Sequence, residues 1–166
     1  MVALLGIQNV AYSQDPDGMF TVYLARHAEK LTESENPEDP SLSACGESRA
    51  ASLATLLRAV NLDRVYSTPY ARTRETAGPV AASHQLEIET YDPRQLEVFS
   101  SQLLGQKQNA LVIGHSNTTA VLAGLLSGEA GQPFGEDEFD RLYLVTVSGT
   151  QSQVNILDQA FMCAQQ

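Results

Sequence analysis

Basic residues are scarce in this chain. Ten lysines and arginines stand against 20 aspartates and glutamates, a net charge of −10 over 166 residues. A phosphate backbone needs a basic face, so nucleic acid is not expected as a partner, and an anionic membrane surface is disfavoured on the same ground. Long apolar runs are missing too, and no stretch could span a membrane. There is no internal repeat and no low-complexity tract. Cysteine is limited to Cys45 and Cys163, far apart and without metal-ligand spacing, which leaves no zinc motif and no disulfide framework. One bridge between them stays open, but we read them as two small, mostly buried thiols, and they leave the compartment undecided. Only three histidines occur. What remains is an ordinary single-domain composition, 43% hydrophobic and 18% charged, long enough to bury a core without metal or disulfide.

The start, "MVALLGIQNVAYSQDPDGM", holds a short apolar run and then Ala11-Tyr12-Ser13, similar to the tail of a secretory signal peptide but without its basic region. Residues 1–19 are read as a leader, either a weak strand or disordered segment or the remnant of an export signal. Residues 20–166 form one domain. The protein is expected to be periplasmic or secreted in the export case and cytoplasmic otherwise.

Apolar segments then alternate in period. "FTVYLA" is a strand, and the polar "LTESENPEDPSLS" is a solvated surface loop. Helical spacing runs from Ser43, a candidate N-cap, to Val60. "DRVYSTP" is a short strand, "YARTRETAGPVAASH" a helix kinked or broken at Gly78-Pro79, and "LEIET" a strand. "PRQLEVFSSQLLGQ" is an amphipathic helix, "NALVIGH" a wholly apolar strand, and "NTTAVLAGLLSG" the helix after it. Glu136-Asp137-Glu138 reads as a solvated turn. "RLYLVTVS" and "SQVNILD" close the chain as antiparallel strands. Strands alternating with helices predict an α/β fold, a three-layer α/β/α sandwich with a mostly parallel central sheet.

In such sheets ligands bind beyond the carboxyl ends of the strands. Arg26-His27 end the first strand. Ser67-Thr68 end the second, with Arg72 and Arg74 opening the next helix, and Gly114-His115-Ser116 end the fourth. Two of three histidines and several arginines therefore collect on one side. Guanidinium forks match phosphate oxygens, and helix N-termini add N–H donors. A neutral imidazole can attack phosphorus, and positioning with charge neutralisation supplies most of phosphoryl-transfer catalysis. His84 has no partner motif and reads as a structural, solvent-exposed residue.

"LARHAEK", "LSACGESRA", "VYSTPYARTRETA" and "LVIGHSN" occur in the order of four signature segments of the histidine phosphatase, or phosphoglycerate mutase-like, superfamily, and the chain resembles it from Val22 to Asn117. The resemblance implies His27 as the phosphorylated nucleophile, Arg26 and Arg72 as phosphate ligands, and His115 as the second histidine. It leaves Arg74 unassigned. For the proton donor it offers Glu97 and, nearer to His27, Glu29, with Glu29 and Ser116 also as candidate substrate contacts. The compact size resembles the branch that includes phosphohistidine protein phosphatases rather than the mutases, whose longer insertions grip the sugar phosphate.

The expected activity is metal-independent hydrolysis of phosphate monoesters or protein phosphohistidine through a phosphohistidine intermediate. No cofactor and no metal are expected. The expected partners are a phosphorylated small molecule or phosphoprotein, with inorganic phosphate as product and inhibitor. Two alternatives stand beside it: a non-catalytic phospho-ligand binding module on the same fold, and a metal-dependent hydrolase built on His27 and His115. The second is disfavoured because arginines beside the ligands would repel a divalent cation.

Overall fold

A computed structural model describes residues 18–163. The proposed leader and the A-x-S pattern lie outside the described residues, save for Gly18 and Met19. The elements run β1 (Phe20–Arg26), α1 (Ala44–Leu57), β2 (Arg64–Ser67), α2 (Ala71–His84), β3 (Ile88–Thr90), α3 (Leu96–Gln106), β4 (Ala110–Gly114), α4 (Thr119–Ser127), β5 (Arg141–Ser148) and β6 (Gln151–Asp158). They form one six-stranded sheet in the order β3-β2-β4-β1-β5-β6. The first four strands in that order pair in parallel, and β5 and β6 are antiparallel.

The central strands read as apolar runs because both sheet faces are covered. β4 is buried at every position. Its Ala110 and Val112 face a core with Phe99 and Leu103 of α3 and Leu122 and Leu126 of α4. Its Leu111 and Ile113 face the opposite core, with Leu53 and Leu57 of α1 and Ala77 and Val80 of α2. The expected three layers are therefore present. β6 is an exposed edge strand.

Ser43 caps α1 as expected: its hydroxyl oxygen accepts from Gly46 N at 3.2 Å while its own amide donates to the Glu29 carbonyl at 2.9 Å. Four sequence expectations are corrected. α2 is not broken at Gly78-Pro79 but runs unbroken to His84. Thr76, Ala77, Val80 and Ala81 are buried along it, and that packing outweighs the one amide donor that Pro79 removes. His84 is half-buried, with Nε2 3.2 Å from the Leu57 carbonyl at the end of α1.

Cys45 and Cys163 are not free thiols but form a disulfide. The segment after β6 folds back: Gln159 N donates to the Asp140 carbonyl at 2.8 Å, and the Phe161 carbonyl accepts from Arg49. The two cysteine Cα atoms thereby come within 5.6 Å, a separation that sequence distance could not reveal. The two acidic segments read as solvated loops are also partly committed, because Asp39 and the 135–138 turn contact the arginines described next.

Candidate active site

Strand order explains why three chain-distant loops meet. β4 lies between β1 and β2, so their carboxyl ends are adjacent. The β1–β4 register pairs Arg26 with Gly114, and His27 N donates to the Gly114 carbonyl at 2.9 Å. His27 and His115, one residue further on each strand, must then sit side by side. Their ring centroids are 5.5 Å apart at an interplanar angle of 68°. Gly114 is required at this turn, since a β-carbon there would press within 2.9 Å of Thr119 Oγ1 and the Tyr91 hydroxyl.

His27 is buried, and its Nδ1 lies 2.8 Å from the Ala28 carbonyl. A carbonyl only accepts, so Nδ1 carries the proton and the lone pair is on Nε2. Burial pushes the pKa of His27 down to about 3, against the opposing pull of that hydrogen bond and with help from His115, Arg26 and Arg72. The ring is neutral at physiological pH.

Burial, with Arg72 and Arg26, lowers His115 to about 4. Its Nε2 is 3.0 Å from Thr68 Oγ1, which is 2.8 Å from Thr73 Oγ1. Thr73 has one hydroxyl proton and two carbonyls at hand, Tyr70 at 2.8 Å and Thr68 at 3.1 Å. With that proton spent on a carbonyl, Thr68 donates to Thr73 and accepts from His115 Nε2–H. The threonine pair thus fixes the tautomer and orientation of the second histidine.

The arginines are held from outside the cup. Arg26 Nη1 donates to the carbonyls of Gly135, Glu136 and Glu138 at 3.0, 2.7 and 3.0 Å, and its guanidinium lies 4.1 Å from the Phe139 ring centroid. Its Nε is buried without a hydrogen-bond partner among the described residues. Arg72, in the first turn of α2, pairs with Asp39 Oδ1 at 3.4 Å and lies 4.5 Å from the Tyr70 ring. The same Asp39 oxygen accepts from Ala71 N at 2.9 Å, so one carboxylate caps α2 and fixes its arginine. Arg26, His27, Arg72 and His115 line a cup of about 420 Å³ with Lys30, Tyr70, Arg94 and Ser116.

A family model described as the histidine phosphatase superfamily, branch 1, matches residues 22–111. The chain belongs to the histidine phosphatase superfamily. Three solved structures place the fold. A protein histidine phosphatase SixA complexed with tungstate is 19% identical, with a TM-score of 0.71 over 84% of this chain and 97% of its own. A putative alpha-ribazole-5'-P phosphatase from Escherichia coli is 16% identical, with a TM-score of 0.69 over 88% and 99%. A phosphoglycerate mutase from Bacillus anthracis is 15% identical, with a TM-score of 0.62 over 84% and 92%. An uncharacterized protein of Mycobacterium tuberculosis is 43% identical over 56 residues, 34% of this chain and 27% of that relative. The match therefore spans about a quarter of that relative's length.

The structure brings together Arg26, His27, Arg72, His115 and Ser116. It does not bring in the two glutamates. Glu97 is exposed in the first turn of α3 and does not line the cup. Glu29 carries a two-oxygen ion pair to Arg49, at 2.6 Å from Nη2 and 2.9 Å from Nε, and also lies off the cup. Arg74 is exposed. Sequence reasoning missed Asp39, Thr68, Thr73 and Phe139. For Thr68 the only signal was its place at a strand end, and for Asp39 and Phe139 there was none, because only the loop paths bring them in.

Proposed function

We propose that this chain is a metal-independent phosphatase working through a phosphohistidine at His27. The observation that carries the reading is two neutral imidazoles 5.5 Å apart in a cup walled by two guanidiniums. Arg26 and Arg72 bind the phosphoryl oxygens and neutralise their charge. His27 Nε2 attacks phosphorus, forming an N–P bond as the bond to the leaving oxygen breaks. That oxygen takes its proton from water. A bound phosphoryl dianion draws a proton from solvent onto His115 Nδ1, against the burial and the Arg72 and Arg26 charges that depress it, and the ring then donates to an equatorial oxygen. Water then attacks phosphorus, its released proton neutralises the hydroxide left by the first step, the N–P bond breaks, and hydrogen phosphate and neutral His27 are regenerated. The guanidiniums that favour a phosphate oppose a divalent cation between the same histidines.

Turnover of p-nitrophenyl phosphate, and a radiolabel on the wild type that is stable in base and lost in acid, are the expected results. His27→Ala should abolish both while its circular dichroism stays native. An acid-stable label, or turnover surviving in His27→Ala, would remove the phosphohistidine from the account.

A further inference from the structure

Ser116 and Asn117 border the cup on one side and a second cleft of about 640 Å³ on the other. That volume suits a small organic ligand. Its wall is α4, which exposes Val121 and Leu125 one turn apart, 50% and 36% accessible. Ala130 and Pro133 also line it, with the exposed Glu129. The cleft exists because two glycines let the chain cross α4 closely. A β-carbon on Gly124 would come within 2.8 Å of the Glu129 carbonyl oxygen, and one on Gly131 would collide with the Ala120 carbonyl. An apolar trough thus opens directly from the rim of a cationic cup.

The cup has a second peculiarity. Among the described residues, none of the side chains lining it is a carboxylate. Glu29 is spent on Arg49, Asp39 on Arg72 and the α2 amide, and Glu97 lies outside. With no carboxylic acid on the cup itself to protonate the leaving oxygen, a phenol leaves far more readily than an alkanol.

We infer that the α4 cleft is the leaving-group subsite of an aryl phosphate monoester, a small molecule whose phosphate sits in the cup and whose ring lies along Val121 and Leu125. Acidity of the leaving group and apolarity of the cleft select the same chemistry. The inference rests on the phosphatase reading, so its test separates the two.

Wild type, Val121→Asp and Val121→Asn are compared on phenyl and 2-naphthyl phosphate, whose leaving groups have similar acidity. Val121 is half exposed, so both variants should fold. The wild type should favour the larger ring, and each variant should lower the ratio of the two kcat/KM values roughly tenfold, the size of a lost apolar contact. Charge repulsion from Asp would slow both substrates alike and cancel in the ratio. An identical ratio in all three forms overturns the inference. So would slower dephosphorylation of a phosphohistidine-bearing protein in the variants with that ratio constant, which would point to a protein-borne phosphate.

Binding of 2-naphthylmethylphosphonate, which cannot be hydrolysed, is measured beside turnover. Weaker binding in both variants, with no turnover by any form, would retain the subsite and sink the phosphatase. Equal binding in all three would sink the subsite whatever the turnover.

Discussion

Thr68 carries more of the proposed chemistry than its residue type announces. It receives the Nε2–H of His115 and passes its own proton to Thr73, leaving Nδ1 of the second histidine as the nitrogen that titrates toward a bound anion. Thr68→Val keeps the shape and removes the acceptor. His115 Nε2–H is then buried without a partner, and the ring is free to flip or change tautomer. We expect kcat to fall about tenfold to a hundredfold with KM little altered, and Thr68→Ser to restore most of it. A purely structural role would instead lower thermal stability in both variants and leave kcat of the folded fraction intact. Residues of this kind were the least legible in the sequence. His27, His115, Arg26 and Arg72 were readable because rare residue types stood at strand ends. A threonine at such a place is ordinary, and Asp39 looked like one more solvated acid in "NPEDP" until the loop path laid it against Arg72.

Segment type was legible from apolar period, and most strands and helices lie where period placed them. Strand order was not, because the pairing of β1 with β4 rather than β2 depends on a crossover that no local pattern encodes. The unbroken α2 shows the same limit: Pro79 signals a break locally, and buried contacts along the helix decide otherwise. Glycines test how elements meet. Gly46 in "ACGES" is where α1 passes over the loop after β1, and a β-carbon there would run into the Glu29 carbonyl. Gly46→Ala should destabilise the fold by about 1–3 kcal/mol, the usual cost of forcing backbone apart. Gly105, inside α3 with nothing within 4 Å of such a carbon, is the control. Gly105→Ala should stabilise by about 0.5–1 kcal/mol through helix propensity. Urea midpoints of the two variants moving in the same direction would contradict this account of how α1 is seated.

Across the whole molecule, the disulfide and the cup are built from different parts of the chain. Cys45 and Cys163 tie the segment after β6 to α1, beside the Glu29–Arg49 ion pair and the Phe161 ring that lies 5.1 Å from the Arg49 guanidinium. The cup draws on the ends of β1, β2 and β4, on the first turn of α2 and on the 135–139 segment, which Arg141 secures independently through the Gln132 and Pro133 carbonyls and Glu138. A crosslink closing so long a loop chiefly restricts the unfolded chain, and its loss typically costs about 2–5 kcal/mol. Cys45→Ala with Cys163→Ala should therefore lower the unfolding free energy by that amount, and the urea midpoint with it. At low temperature, where the variant is still folded, its kcat and KM on p-nitrophenyl phosphate should match those of the wild type. Dithiothreitol should reproduce the midpoint shift in the wild type and leave the variant unmoved. A fall in kcat of the folded variant would mean that the terminal segment reaches the cup through Glu29 and the β1 loop, and that stability and site geometry share one support.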